Sequence, residues 1–365
     1  MAWRNRVEVS YAALRANVAA VRQAAGGRRV IAVAKADAYG LGLERCARIY
    51  HSAGVAALAV AAIGEADRVR RVAPDARIIL LGSPLPEERP AAVASAYETC
   101  CSTLEEVDEF AHLAHPRAPH PVHVNVDTGM GRFGALPADA EHLVRGVLAA
   151  PTLRLAGIST HYPMATDPAL AQQQEGEFAA LLARLPPLPT DCWIHQANSE
   201  GVLLRPPGPT NAVRVGLLLT GELPAGCVDP GVVPAASWLS AISLVKRLPA
   251  GHGISYNRSH VLVRDSLVGI VPVGYADGYP IALSGRGTML IQGRRCPVLG
   301  RVTMDYCIVD LTDLPKPPAP GEGVVLFGAQ GEARITVAEL ARLAGTIPYD
   351  ILCGLRGRCE VVGVP

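Results

Sequence analysis

Between residues 30 and 221 the chain alternates short apolar runs with amphipathic stretches, and this alternation restricts the fold more than any other feature. The runs have the length and composition of buried β-strands, and the stretches between them have helical periodicity. Strands joined by helical crossovers form parallel sheets. Eight strands are predicted, at residues 30–34, 58–62, 77–81, 98–101, 122–127, 155–160, 192–196 and 213–219.

Eight is the number of parallel strands that closes a TIM-type (β/α)8 barrel. The alternative is a doubly wound open sheet, but no GxGxxG motif follows the first strand, which weakens it. A short helical stretch at 200–204 follows the seventh strand. The longer predicted helices are at 41–53, 64–73, 87–96, 103–114, 138–149 and 168–184.

The pattern changes near residues 229–234, after which short β-type runs are separated by Gly and Pro. These runs predict a mainly antiparallel β domain. We expect a barrel domain at 10–234 and a β domain at 235–365, to which a strand near 1–9 is added. The expected strands are 7–9, 239–248, 260–273, 288–291, 295–299, 307–311 and 323–327, with helices at 11–25 and 337–344.

Composition excludes several classes of protein. Half of the residues are hydrophobic and the formal net charge is +1, so disorder is excluded and neither nucleic acid nor a membrane surface is an expected partner. No apolar run is long enough to span a membrane, and the N-terminus lacks the apolar core of a signal peptide. Nine scattered cysteines without a CxxC pair predict free thiols, a cytoplasmic location and no metal site.

One of the three lysines, Lys35, directly follows the first predicted strand. Burying an ammonium group is costly unless the group is paired or neutralised. A Schiff base with an aldehyde cofactor would neutralise it, and Tyr39 could then reach a phosphate group. The alternative is a lysine that extends to solvent at the end of a strand.

Other polar residues also follow predicted strands, where the active sites of barrels lie. The hydroxyl of Ser199 and the backbone N–H groups of Gly216 and Leu217 follow strands seven and eight, the usual position of a phosphate site. The full set of polar residues at strand ends is Lys35, Asp127, Arg132, His161, His195, Asn198, Ser199 and Arg214.

Seven blocks, AVAKADAYGLG, VDTGMGRFG, QANS, VRVGL, SY at 255–256, GYADG and GRVTMD, occur in order along nearly the whole chain. This ordered set resembles the alanine racemases. The resemblance implies a fold-type III pyridoxal 5'-phosphate enzyme, an isomerase that supplies D-alanine for peptidoglycan. It also implies a head-to-tail homodimer in which the β domain of one subunit completes the active site of the other.

The resemblance also implies roles for individual residues. Lys35 binds the cofactor covalently and is one acid/base, and Tyr256 of the partner subunit is the other. Arg214 contacts the pyridine nitrogen and His161 links it to that tyrosine. The other implied cofactor residues are Tyr39, Asn198, Ser199, Gly216, Leu217 and Tyr349. The implied substrate residues are Arg132, Met304, Asp305 and Tyr275, the last of which narrows the entrance.

An arginine beside the pyridine nitrogen would keep that nitrogen unprotonated, which favours returning a proton to Cα over decarboxylation. Three positions depart from the family pattern. Asn125 stands where many members have a carbamylated lysine that holds the matched Arg132. Thr220 replaces a usual tyrosine, and Thr303 replaces a common cysteine. These departures concern carboxylate binding and substrate range.

Alternative functions remain open at this point. A serine or broad-specificity racemase would share the same fold. A non-catalytic pyridoxal-phosphate carrier is disfavoured by the β domain, and a decarboxylase is disfavoured by Arg214. A metal-dependent barrel hydrolase could use Asp127, His161 and His195, but it leaves Lys35 unexplained.

Overall fold

The chain divides into two units, one built on a parallel sheet and one on an antiparallel sheet, in a computed structural model that describes residues 4–355 and 357–365. The barrel unit consists of residues 14–38 and 43–233. The β unit contains the described residues up to 13, residues 39–42 and the chain from 234 onwards. Strand β1 (Asn5–Ser10) and the first residues of the helix Tyr11–Ala24 belong to the β unit.

The barrel unit contains eight parallel strands in the order β4-β3-β2-β9-β8-β7-β6-β5. The two end strands meet where Leu80 N–H donates to Glu98 O and Glu98 N–H donates to Ile78 O, both at 2.9 Å, and this contact closes the barrel. The predicted (β/α)8 fold is therefore confirmed. The strands are β2 (Arg29–Val33), β3 (Ala57–Val60), β4 (Ile78–Leu80), β5 (Thr99–Cys101), β6 (His120–Asn125), β7 (Leu153–Ser159), β8 (Trp193–His195) and β9 (Ala212–Val215).

Helices follow the strands as predicted, and Pro168–Arg184 has the predicted bounds, with Asp167 accepting hydrogen bonds from two N–H groups of its first turn. The predicted strand 213–219 was too long, because the chain turns into a 3-10 helix, Leu217–Thr220, after β9. A short apolar run does not distinguish these two conformations. The remaining helices are Leu43–Ser52, Ile63–Val72, Arg89–Ala94, Leu104–Leu113, Pro137–Ala149 and Ser199–Leu204.

The β unit contains a ten-stranded, mainly antiparallel sheet, which includes β1, and a separate two-stranded sheet. Two of the predicted strands, 239–248 and 260–273, are each divided in two. The strands are β10 (Ala236–Ala241), β11 (Leu244–Leu248), β12 (Gly253–Ile254), β13 (His260–Val261), β14 (Ser266–Val271), β15 (Thr288–Ile291), β16 (Arg294–Leu299), β17 (Cys307–Asp310), β18 (Gly323–Gln330), β19 (Ala333–Ile335) and β20 (Glu360–Val364).

Helix Val337–Ala344 has the predicted bounds, but a further helix that was not predicted follows it. A second helix, Pro348–Cys353, begins with proline in its first turn, a signal that could have been recognised. Across residues 4–355 and 357–365, no helix combines the length and apolar character needed to cross a membrane.

Candidate active site

Lys35 begins a short left-handed turn directly after β2. The next four residues, 36–39, all have φ between 53° and 57°, although none of them is glycine. Left-handed backbone costs roughly 1–2 kcal/mol for each L-residue, so such a run persists only where its surroundings enforce it. The half-buried Lys35 side chain is therefore set on a rigid, strained segment.

Two residues of the helix Ile63–Val72 hold this turn in place. The carboxylate of Glu65 accepts hydrogen bonds from Ala36 N–H at 2.7 Å and from Ala61 N–H at 2.9 Å. Arg68 donates to the carboxylate of Asp37 at 2.6 Å, and the same carboxylate oxygen accepts from a backbone N–H at the start of the next helix. Sequence reasoning missed this clamp, because a run of left-handed residues has no signature in amino-acid type.

We expect Glu65→Ala to lower kcat about tenfold and the free energy of unfolding by about 1–2 kcal/mol, because it removes the acceptor of two backbone N–H groups. Urea unfolding and steady-state kinetics measure both effects. Glu88→Ala is the matched control, because Glu88 also accepts from a backbone N–H, that of Leu85 at 2.9 Å. Equal kinetic losses in the two variants would contradict a role for Glu65 in positioning Lys35.

Arg214, on β9, is buried and is held by neutral acceptors. Its guanidinium donates to His195 Nδ1 at 2.5 Å and to His161 Nδ1 at 3.1 Å. It also donates to the backbone carbonyls of Thr160 and Gln196 at 2.6 and 3.2 Å. Burial lowers the pKa of Arg214 to about 10, so it remains a cation at neutral pH.

His161 lies among positive charges. Burial, followed by the charges of Arg214, Arg132 and Lys35, lowers its pKa to about 3. Its imidazole is therefore neutral at neutral pH. Since its Nδ1 accepts from Arg214, its proton lies on Nε2, which is left as a donor. A neutral histidine among three cations makes a site suited to anionic groups.

Acidification should destabilise the folded protein below pH 6.5. Burial lowers the pKa of His120 to about 4 and holds that of His195 well below its usual value, so the unfolded chain binds more protons than the folded one in this interval. The contribution of these histidines to the free energy of unfolding is complete above pH 6.5 and is lost as the pH falls below it. Between pH 7 and pH 5, His120 alone should lower the free energy of unfolding by about 2 kcal/mol.

Urea unfolding at pH 7, 6 and 5 measures this dependence, with His120→Asn as the comparison. The variant should lose less stability over the interval than the parent chain does. A loss of stability over the interval that is as large in His120→Asn as in the parent chain would contradict the assignment of His120 as neutral.

The hydroxyl of Ser199 and backbone amides converge after β8 and β9. Ser199 Oγ accepts from Gly216 N–H at 3.4 Å and from Leu218 N–H at 3.5 Å. Asn198 caps the helix Ser199–Leu204 by accepting from the N–H of Gly201 at 2.9 Å, and this fixes where Ser199 lies. Leu217 is the first residue of the 3-10 helix, and the first N–H groups of a helix have no partner within the helix itself. This hydroxyl and amide cluster has donors suited to a phosphate group.

Asp127 and Arg132 belong to one glycine-rich loop. Burial would raise the pKa of Asp127, but backbone N–H donors of residues 129–132 outweigh it and hold the pKa below its usual value. Asp127 thus organises the loop that carries the exposed Arg132. Within the described residues, no group of three or more His, Cys, Asp or Glu side chains could hold a metal ion.

Asn125, the first of the three departures named above, accepts a hydrogen bond from Ser159 Oγ at 2.6 Å through its own Oδ1. The Thr220 hydroxyl donates to the backbone carbonyl of Leu217 at 2.7 Å. In the β unit, the Thr303 hydroxyl donates to the carbonyl of Tyr306 at 2.8 Å. The side chain at each of these three positions therefore forms a hydrogen bond with an uncharged group of the chain.

The residues predicted in the β unit fall into two groups. Tyr256 begins a short 3-10 helix between β12 and β13 and is 69% exposed. In the other group, backbone hydrogen bonds join the loops that carry Tyr275 and Met304: Tyr275 N–H donates to the carbonyl of Thr303 and Ala276 N–H to that of Met304. Gly274 is required here, because a Cβ would lie 2.2 Å from the carbonyl oxygen of Thr303.

Arg358 fixes these two loops relative to each other. It donates to both carboxylate oxygens of Asp277 at 3.0 Å and to Asp305 Oδ1 at 2.7 Å. These carboxylates raise the pKa of Arg358 above its usual value. In this chain the Asp305 side chain is therefore an anchor of the loop beside Met304.

Tyr39 and Tyr349 form a pair in the β unit, with ring centroids 5.6 Å apart. Burial, and then proximity to Tyr349, raise the pKa of Tyr39 above its usual value, so its phenol is a neutral donor. Gly40, next in the chain, has φ of 79°, and a Cβ there would lie 2.4 Å from the carbonyl oxygen of Leu352. The helix missed in the sequence therefore packs on the segment that carries Tyr39.

Comparisons with known proteins agree with this architecture. The family model described as "Alanine racemase, N-terminal domain" matches residues 9–224, and that described as "Alanine racemase, C-terminal domain" matches residues 235–362. An alanine racemase from Symbiobacterium thermophilum is 38% identical over 362 residues, covering 96% of this chain and 94% of the relative.

Solved structures give the same result. Alanine racemase from D-cycloserine-producing Streptomyces lavendulae aligns with a TM-score of 0.91 at 32% identity, covering 100% of this chain and 98% of that one. Alanine racemase from Bartonella henselae with covalently bound pyridoxal phosphate aligns with a TM-score of 0.91 at 27% identity, covering 99% of each chain. With both family models matched along nearly its full length, this chain belongs to the alanine racemase family.

Proposed function

We propose that this protein interconverts L- and D-alanine with pyridoxal phosphate and two acid/base groups. The observation that carries the proposal is Lys35, set on a clamped left-handed turn and within electrostatic reach of His161, in a chain of the alanine racemase family. D-Alanine made in this way would supply peptidoglycan synthesis.

The residues present fit pyridoxal phosphate. The buried Arg214 has neutral imidazoles and carbonyls as acceptors, and Lys35 and Arg132 add to the positive charge around His161. An anionic cofactor and a substrate carboxylate would balance this charge. Lys35 would hold the aldehyde carbon and Arg214 the pyridine nitrogen. We assign the phosphate to Tyr39, Ser199, Gly216, Leu217 and Tyr349, beside the helix capped by Asn198.

When bound, pyridoxal phosphate makes the Cα proton of an attached amino acid acidic. Racemisation then requires removal of that proton from one face and delivery of a proton to the other. Lys35 would serve one face and Tyr256 of the partner subunit the other. A single base would only exchange the proton or invert the carbon slowly.

The protonation state of His161 determines which hydrogen bond it can form with the second base. Its Nδ1 is occupied by Arg214, so its Nε2–H can only donate. A donor beside Tyr256 of the partner subunit would stabilise the phenolate over the phenol and so favour the basic form. Arg214 thereby links the hydrogen bonding of the cofactor ring to that of the second base.

The exposure of side chains in the β unit supports a homodimer. Tyr256 is 69% exposed and Met304 52% exposed, and Tyr275 and Tyr306 are also exposed. A tyrosine acting as a base needs a water-excluded environment, which a second copy of the chain would provide. We propose a head-to-tail dimer in which Tyr256, Tyr275, Met304 and Asp305 complete the partner's site.

Arg132 and the backbone at Met304 would bind the substrate carboxylate, and Tyr275 would narrow the entrance. Because Asn125 is neutral, Arg132 has no fixed counter-charge from that position. Each of the nine cysteines is a thiol and not half of a disulfide, which supports a reducing, cytoplasmic setting.

The function is tested by following L-alanine and D-alanine separately with added pyridoxal phosphate. We expect both reactions to approach an equal mixture of the two enantiomers, because enantiomers have equal free energy. L-Serine and L-lysine run alongside should turn over much more slowly. Comparable rates on serine would favour a broad-specificity racemase, and no turnover of any of them would contradict the proposal.

A further inference from the structure

A chain of buried hydrogen bonds runs through the barrel interior from Arg214, and the proposed mechanism does not use it. His195 Nε2 lies 3.0 Å from His123 Nδ1, and His123 Nε2 lies 2.8 Å from Glu98 Oε2. Arg77 then donates to both oxygens of Glu98 at 2.6 and 2.8 Å. Barrel interiors are usually filled by branched apolar side chains, so this polar row calls for a reason.

The chemistry of its ends fixes every proton in the row. A guanidinium has only donors, so His195 Nδ1, 2.5 Å from Arg214, must be an acceptor and its proton lies on Nε2. That N–H faces His123 Nδ1, which must therefore also be an acceptor. The remaining proton of His123 lies on Nε2 and is donated to Glu98. Both histidines are then neutral and all donors point the same way.

We propose that Glu98 is a positioning residue for Arg214, because it fixes the tautomers of His123 and His195. A carboxylate can only accept, so it forces His123 to donate from Nε2 and no reversed arrangement is available. The lone pair of His195 Nδ1 is thereby always presented to Arg214. This inference rests on the proposed function for the role of Arg214, but the tautomers themselves do not depend on it.

Burial supports this arrangement. His123 and His195 are 0% and 1% exposed, and Glu98 is 4% exposed. Burial would raise the pKa of Glu98, but hydrogen bonds from His123 and Arg77 outweigh it and lower the pKa to about 2. Glu98 is therefore ionised throughout the neutral range. Arg77, at the far end, is partly exposed and stacks 3.6 Å from the Trp193 ring centroid.

Glu98→Gln tests the proposal with little change in shape. An amide can donate as well as accept, so the row can reverse and place a proton on His195 Nδ1, facing the N–H of Arg214. We expect kcat for alanine to fall about tenfold, the loss of one charge-assisted hydrogen bond, with KM changed less than twofold. Glu106→Gln is the matched control, because Glu106 is buried and paired with Arg89 but lies outside the row.

Neutron diffraction from the unsubstituted enzyme gives a readout that needs neither a variant nor activity. We expect deuterium on Nε2 of both His123 and His195 and none on Nδ1. Deuterium on His195 Nδ1, or on both nitrogens of either ring, would overturn the proposal, as would equal kcat losses in the Glu98→Gln and Glu106→Gln enzymes. A row with the expected tautomers in a protein that does not racemise alanine would refute the proposed function alone.

Discussion

Replacing Lys35 by alanine should abolish both covalent attachment of pyridoxal phosphate and racemisation. Lys35 is the one group for which we propose both cofactor attachment and proton transfer. Its loss therefore removes the covalent link to the cofactor and the acid/base group on one face of the substrate. We expect kcat/KM to fall by roughly 10⁴-fold or more. Visible absorbance of the protein-bound cofactor and D-alanine formation measure the two effects.

Lys246→Ala is the matched control, because Lys246 is an exposed lysine on β11. It should leave both properties unchanged. A Lys35→Ala protein that kept its cofactor absorbance and its activity would refute the assignment of this lysine. Loss of the absorbance with retained activity would refute both its role in proton transfer and the need for an attached cofactor.

Replacing Tyr256 by phenylalanine should slow proton removal from one enantiomer far more than it changes cofactor binding. The substitution removes the phenolic oxygen and keeps the ring. A general base typically contributes roughly 10²- to 10⁴-fold, and we expect a loss of that size. Exchange of the Cα proton into heavy water, measured separately for L- and D-alanine, reports the two faces independently.

Tyr306→Phe is a suitable control, because Tyr306 is another exposed tyrosine of the β unit. The two-base assignment predicts unequal losses for the two enantiomers in Tyr256→Phe and none in Tyr306→Phe. Unchanged exchange with both enantiomers in Tyr256→Phe would rule out its role as a base.

The Lys35→Ala and Tyr256→Phe chains together test whether a site is shared between subunits. In a mixed dimer of the proposed kind, one site carries both substitutions and the other carries neither. Random mixing should therefore restore about a quarter of the unsubstituted activity. Sites built within a single chain would remain inactive after mixing.

Much of the fold was predictable because periodicity and length are local properties of the sequence. The eight barrel strands and the helix Pro168–Arg184 follow from the alternation of apolar runs. The strand predicted at 213–219 was too long, because three leucines after Gly216 fit a strand and a 3-10 helix equally well. Helix Pro348–Cys353 is short, and its proline was not recognised as a start signal.

The candidate site was predictable only in part. Lys35, His161 and Arg214 were predicted at strand ends, and the structure places the positive charges of Lys35 and Arg214 within electrostatic reach of the neutral His161. The contacts of Glu65 and Glu98 could not be predicted. Glu65 acts through backbone N–H groups in a left-handed turn, and Glu98 acts through side chains from non-neighbouring parts of the sequence. Such contacts depend on tertiary packing that a linear pattern does not contain.

The most direct test of the two-base racemase is the first D-alanine made from L-alanine in heavy water. Proton removal on one face and delivery on the other predict that this D-alanine carries deuterium at Cα from the earliest time point, at a rate unaffected by serine or lysine present at low concentration. Early D-alanine that kept the substrate's own proton would contradict two bases. No D-alanine from the enzyme with its cofactor bound would contradict the function itself.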